Sequence, residues 1–130
     1  MRYTHDSWSI DLPNHWTIEE VSDGDEEYVT LFDPNGTETF AVTSYFKASG
    51  NPSLEEIVEF AGVSEYETAD YPYLNGIRHT RIEDDEIIDR WWLAVAEHLI
   101  FVVYVCDDGD EKLSSEQRKE FVYSLRSHHG

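Results

Sequence analysis

The chain has little positive charge and almost no thiol. Nine Lys and Arg stand against 28 Asp and Glu, for a formal net charge of −19 over 130 residues. Charge of that sign opposes association with nucleic acid or with an anionic membrane surface. Neither is expected as a partner. A single cysteine, Cys106, excludes an intramolecular disulfide and any Cys-rich metal site. No apolar run reaches the roughly 18 residues that a spanning helix needs, and the start, Met1-Arg2-Tyr3-Thr4-His5-Asp6-Ser7-Trp8, lacks the apolar run of a secretory signal. The expected location is the cytoplasm. What the chain does have is 40% hydrophobic and 14% aromatic residues, enough for one compact domain over 1–130 with its own core.

Alternating apolar and polar residues at Trp8-Ser9-Ile10-Asp11-Leu12 and Trp16-Thr17-Ile18-Glu19, with Pro13-Asn14 between them, predict two short strands and a turn. An acidic loop is expected over 19–27. Tyr28 to Phe32 and Phe40 to Phe46 are rich in β-formers and flank Asp33-Pro34-Asn35-Gly36, which predicts a hairpin. Ser53, with Glu56 three residues later, is a capping box, so a helix should start there, bury Leu54, Ile57, Val58 and Ala61, and stop at Gly62. Residues 63–75 lack periodicity and are expected to be a loop ending in Asn75-Gly76.

Strands are predicted at about 76–83, 87–96 and 99–106, with Glu97-His98 as a tight joint. That joint would put Trp91, Leu93 and Val95 on one face with Ile100, Val102 and Tyr104, and Trp92, Ala94 and Ala96 on the other with Leu99, Phe101 and Val103. Both faces are apolar, so the sheet should be covered on both sides, with the helices as covers. A last helix is expected over about 114–126, capped by Ser114 or Ser115, burying Phe121, Val122 and Leu125, with Arg126 and two histidines at its negative end. The fold class is α+β: an antiparallel sheet flanked by helices on both faces, in the order β-β-β-β-α-β-β-β-α.

Three stretches resemble a known family: Trp8-Ser9-Ile10-Asp11-Leu12-Pro13-Asn14-His15-Trp16, Phe32-Asp33-Pro34-Asn35-Gly36, and Phe101-Val102-Val103-Tyr104-Val105-Cys106 before an acidic amphipathic helix. They are similar to a small bacterial family of unknown function with the PsbP-like fold. The resemblance covers nearly the whole chain, and its motifs are a turn, a hairpin and a central strand, none with a catalytic group. It implies a non-enzymatic binding subunit, since characterised members of the wider fold bind photosystem components or a small nuclear GTPase. Many of those members carry export signals, from which the start of this chain departs. No functional residue carries over by position.

Acidic clusters are the largest anomaly: 19–27, 83–89 and 107–111. Neither Asp23-Gly24-Asp25 nor Asp107-Asp108-Gly109-Asp110 continues into the ligand spacing of a calcium loop. The clusters are solvated loops, or a surface that speeds encounter with a basic protein, or an adaptation to a salty or alkaline habitat. The six histidines show no zinc spacing, no serine sits in a nucleophile elbow, and Cys106 beside Asp107 and Asp108 belongs to the core rather than to catalysis. No metal, cofactor or catalytic residue is expected. Arg78, Arg81 and Arg90 should pair internally with the acids of 83–89.

Tyr66, Tyr71 and Tyr73 fall in the 63–75 loop, where they either anchor a partner or lid the sheet edge. The expected function is a non-catalytic protein-binding module of adaptor or immunity type, monomeric or weakly dimeric. It would recognise a basic or amphipathic protein through Tyr66, Tyr71, Tyr73, Asp84, Asp85 and Glu86. The alternative is a small-molecule-binding protein or enzyme with a pocket under the 63–75 loop.

Overall fold

The computed structural model describes residues 2–5, 8–24, 26–46, 52–71, 74–95 and 98–127. They form an α+β fold, mostly antiparallel sheet with two helices. Strands β1 (Arg2–Thr4), β2 (Trp8–Asp11) and β10 (Arg126–Ser127) make a three-stranded sheet in the order β1-β2-β10. Strands β3 (Thr17–Asp23), β4 (Glu26–Phe32), β5 (Thr39–Phe46), β6 (Glu67–Tyr71), β7 (Leu74–Glu83), β8 (Glu86–Val95) and β9 (His98–Asp107) make a seven-stranded sheet in the order β3-β4-β5-β9-β8-β7-β6. Helix α1 (Leu54–Ala61) connects β5 to β6, and α2 (Ser115–Tyr123) connects β9 to β10.

Local signals place the helices. Ser53 accepts from the Glu56 amide and Glu56 reaches back to Ser53, and Gly62 takes the left-handed conformation (φ 67°) that ends α1. Ser114 and Gln117 form the same box at α2. In the β4–β5 connection, the Asn35 amide donates to Asp33 Oδ1 at 2.9 Å and the Gly36 amide to the Asp33 carbonyl at 3.2 Å, so the Asp-Pro-Asn-Gly turn forms as its residues dictate.

The expected element order needs correction in several places. The 19–27 stretch is no loop: most of it is the β3–β4 hairpin, paired from Thr17↔Phe32 to Asp23↔Glu26. The 63–75 segment contains β6, which pairs with β7 from Glu67↔Arg78 to Tyr71↔Leu74; Glu67-Thr68-Ala69-Asp70-Tyr71 has one buried position described, Ala69, so its hydropathy carried no strand signal. β1 and β10 exist because both pair with β2, and such short strands have no periodicity to read. β2 and β3, adjacent in sequence, lie in different sheets. The last helix stops at Tyr123 rather than near 126, where the Arg126 guanidinium donates to the carbonyls of Tyr123 (2.7 Å) and Leu125 (2.8 Å). His98 is a strand residue paired with Val95, which moves the β8–β9 register by two from the expected one. A shift of two keeps every side chain on its face, so the two apolar rows sort as their parity requires.

One row is sealed. Trp91, Leu93, Ile100, Val102 and Tyr104 are all 0% exposed, in a cluster with Val29, Leu31 and Phe40 of the same sheet, Trp8 and Ile10 of β2, and Phe121 and Val122 of α2. The three-stranded sheet is thus a major cover of that face, a role the sequence reading gave to helices alone. The Phe40 and Phe121 rings stack at 4.3 Å between centroids. On the opposite parity, Ile77, Trp92 and Ala94 pack with Ile57 of α1, while Phe101, Val103 and Val105 are only half-buried.

Candidate functional site

Strand β8 carries Ile87, Asp89 and Trp91 on its core-facing side. Asp89 is therefore a carboxylate in an apolar row, fully buried and fully bonded. Its Oδ1 accepts from Arg78 Nε (2.9 Å) and Thr80 Oγ1 (2.8 Å), and its Oδ2 from Arg78 Nη2 (2.6 Å) and Arg118 Nε (2.9 Å). Arg78 lies over the Trp91 ring and Arg118 over Tyr104, each 4.8 Å from the centroid. Beside them Glu38, 2% exposed, accepts from the Tyr104 hydroxyl (2.7 Å) and the Leu113 amide (2.9 Å). Burial, and then the bond to Glu38, push the Tyr104 hydroxyl far above its ordinary pKa. Both guanidiniums thus converge on Asp89, with the Glu38–Tyr104 bond beside them. This cluster pins α2 to the sheet. The pairing of Arg78 with an acid of 83–89 was expected; the burial of Asp89, which its phase with Ile87 and Trp91 signalled, and the joining of Arg118 and Glu38 were not.

Of the predicted internal pairs, Arg81 bridges Glu83 at 2.8 Å. Arg90 instead meets His79 Nδ1 at 3.1 Å and the Trp92 ring at 5.1 Å, and burial first, then Arg81, lowers its pKa. Cys106 is 1% exposed, near Thr37 Oγ1 at 3.3 Å. Among the described residues no set of three or more His, Cys, Asp and Glu stands where it can hold a metal.

Asp84 and Asp85 form the two-residue tip of the β7–β8 hairpin, both at positive φ (52° and 63°). That is the geometry of a type I′ connection, which favours Asn-Gly and which Asp tolerates better than other residues with a Cβ. Both are exposed and Glu86 is half-buried. The 107–111 loop joins them: Glu86 pairs with Asp107, and the Asp108 amide donates to the Asp85 carbonyl at 2.8 Å. Residues 83–86 and 107–111 therefore form one acidic end with eight carboxylates. Lys112, just beyond, is bound at 3.0 Å to buried Asp33, whose carboxyl is held below its usual range by the Asn35 amide and then Lys112.

The third acidic stretch is elsewhere. Val29 pairs with Val42 and Val42 with Val102, so residue 26 is level with residue 99, eight residues from Asp107; at ~3.3 Å per residue the gap is ~26 Å. Tyr66 and the backbone of Tyr71 are likewise apart from the tip. Tyr71 pairs with Leu74 at the far end of β7 from Glu83, nine residues or ~30 Å away. Its side chain and all of Tyr73 lie outside the described residues. Tyr66 is 42% exposed and sits level with His79, ~16 Å from the tip. Asp84, Asp85 and Glu86 are thus brought together, and neither Tyr66 nor the backbone of Tyr71 joins them.

A polar groove of about 460 Å³ runs between β6–β7 and α2, lined by Glu67, Asp70, Arg78, Ser115, Lys119 and Tyr123 among others. Hydrogen bonding to Tyr123, foremost, and the nearby Glu116 push the Lys119 ammonium up. The groove adjoins the 63–75 segment, but its walls are charged rather than apolar.

No family model matches the chain, and no curated protein does. Among solved structures it is similar to a protein from Bacteroides thetaiotaomicron VPI-5482, with a TM-score of 0.68 and 14% identity over 94% of this chain. That likeness shows the fold alone. The match takes in 45% of the Bacteroides chain, so this chain spans less than half of that protein's length. Among the described residues no helix is long and apolar enough to cross a membrane.

Proposed function

We propose that this protein is a non-catalytic, cytoplasmic binding module of adaptor or immunity type that recognises a basic or amphipathic protein through its acidic end. The reading includes a PsbP-like fold with a helix over each face of the large sheet, acting as a monomer or weak dimer. The observation that carries it is the convergence of residues 83–86 and 107–111 through the Asp108–Asp85 backbone bond, which turns two separate acidic segments into one surface. A patch of one sign raises the encounter rate with an oppositely charged partner and selects against like-charged ones. Tyr66, Tyr71 and Tyr73 then serve as a further anchor.

The test compares the native chain with a D84N/D85N/E86Q variant, using capture from host lysate at low and high salt. A partner captured by the native chain, weakened by screening and lost with the variant, supports the reading. Equal capture by both chains, or none at either ionic strength, ends it. The second reading, a small-molecule site, is favoured by the groove beside residues 67–70. It predicts that T68W, which fills that groove, abolishes ligand binding and leaves partner capture intact.

A further inference from the structure

The side of the large sheet that faces away from the Trp91 core is only partly covered. Directly opposed residues of neighbouring strands share a face, so one level of that side runs Glu19, Thr30, Ala41, Val103, Arg90, His79 from β3 to β7. The next runs from Thr17 through Phe32, Thr39, Val105 and Ile88 to Arg81. Helix α1 lies over one corner, at Ile77, Trp92 and Ala94. Beyond that corner Phe32, Ala41, Ile88, Val103 and Val105 are half-buried, and among the described residues they pack with neither buried cluster. A sheet face turned to water is ordinarily polar. This one is apolar along its middle.

Its charge departs from that of the chain as well. The two levels carry one carboxylate, Glu19, and two guanidiniums, Arg81 and Arg90, in a chain with 28 acids and nine Lys and Arg. Arg81 is bound to Glu83 at 2.8 Å. Arg90 meets the His79 and Trp92 rings, and among the described residues no carboxylate lies within ion-pair distance of it. Glu19 has no ion pair among them either. These two opposite charges stand at the two ends of one level, four strand spacings or ~19 Å apart. Two copies of the chain, each at −19, repel one another over their acidic surfaces. This face has no net negative charge and holds both signs on one level, so it complements itself, as an isologous contact requires. Six strands ~4.8 Å apart and three levels of ~6.7 Å, less the corner under α1, make roughly 500 Å² per copy. Two copies then bury about 1,000 Å², the lower bound for a specific contact and the size of a weak one.

We propose that this face forms a weak two-fold homodimer, sheet against sheet, in which Arg90 of each copy meets Glu19 of the partner subunit across the apolar levels. Stacked sheets lie ~10 Å apart, so the second sheet occupies the same layer as α1, which bounds the contact at its corner. Burial of Phe32, Val103 and Val105 drives the association, and the paired charges fix its orientation. The contact makes the weak dimer of the proposed reading specific and does not rest on the acidic end.

The test is sedimentation of the full chain from ~10 µM to ~1 mM, the range of weak affinities, at low and at high NaCl. The expected result is a monomer–dimer equilibrium that tightens as salt rises, because screening removes the repulsion between copies; capture of a basic partner at the acidic end weakens instead. Thr30 and Thr39 are half-buried on the face. T30E/T39E should weaken the dimer at least about tenfold, since the contact would then bring like charges together, and its urea midpoint verifies that the fold is kept. E19R and R90E should each weaken the dimer, and E19R/R90E should restore it, a reversal that a merely structural role for either side chain would not produce. D84N/D85N should leave dimerisation intact, which separates this face from the acidic end. A monomeric mass at every concentration and salt overturns the proposal, as does a dimer unchanged by T30E/T39E, lost in D84N/D85N, or not restored by the charge exchange. A monomer from which T30E/T39E removes a captured protein assigns the face to a foreign partner, and that too overturns it.

Discussion

Replacing Asp89 by Asn tests the central polar cluster most directly. The carboxylate is 0% exposed and accepts four hydrogen bonds, three of them from guanidiniums. Asn keeps one acceptor oxygen, and its amide points N–H groups at an arginine that also only donates. Arg78 and Arg118, with side chains 8% and 6% exposed, then stay buried without the carboxylate that bonds both. Removing one partner of a buried ion pair costs about 3–5 kcal/mol. Against a total of about 5–15 kcal/mol for a domain, that is a large fraction. Urea unfolding followed by tryptophan fluorescence reads it, since Trp91 lies under Arg78. The midpoint should fall with little change in slope. A triple variant, R78M/D89L/R118M, removes charges and hydrogen-bonding groups together and should recover most of the loss, because an apolar replacement of a buried pair is often neutral. A loss under ~1 kcal/mol for D89N, or a triple variant less stable than D89N, would refute the claim that unpaired buried charge sets the magnitude.

Three other outcomes follow from the geometry. A Cβ on Gly76 would stand 2.0 Å from the Trp92 carbonyl oxygen and 2.9 Å from Leu93 Cα, both backbone of the neighbouring strand. G76A should therefore cost more than ~3 kcal/mol or prevent folding, whereas G62A, with open space around it, should cost ~1 kcal/mol through its positive φ; similar midpoints for the two in urea would contradict this. D84N/D85G matches the type I′ tip and removes two clustered charges, so thermal unfolding should show a gain of ~1 kcal/mol; a loss would mean that the aspartates make contacts that stabilise the tip. The Asp33 carboxyl is lowered by the Asn35 amide and then by Lys112, so its stabilisation is present above the unfolded carboxylate pKa of about 3.9 and lost as pH falls through the lower folded value. The native chain should exceed D33N in urea midpoint by a constant margin above pH ~5, and the margin should narrow progressively as the pH falls below the unfolded value; a margin independent of pH would sink that account.

Much of the candidate site was only half legible in the sequence. The clustering of 83–86 and 107–111 as acid was plain, and so was the turn between Asp84 and Asp85, because composition and hairpin spacing are local. That the two stretches share one surface was not, since it depends on Glu86 pairing with Asp107, twenty-one residues on. The inward-facing Asp89 was visible as a break in alternation, yet a break does not show which partners it meets.

Sequence by itself determined the capped helices, the Asp33–Gly36 turn and the sorting of Trp91 from Trp92 onto opposite faces. Each follows from dihedral preferences or from the two-residue period of a strand, which act within a few positions. Tertiary structure decided that β2 leaves its neighbour to sit between β1 and β10, that a polar stretch becomes edge strand β6, and that Arg78, Asp89 and Arg118 meet in the core. Those outcomes join residues far apart in the chain, and their stability comes from backbone pairing and shared burial, which no local pattern encodes.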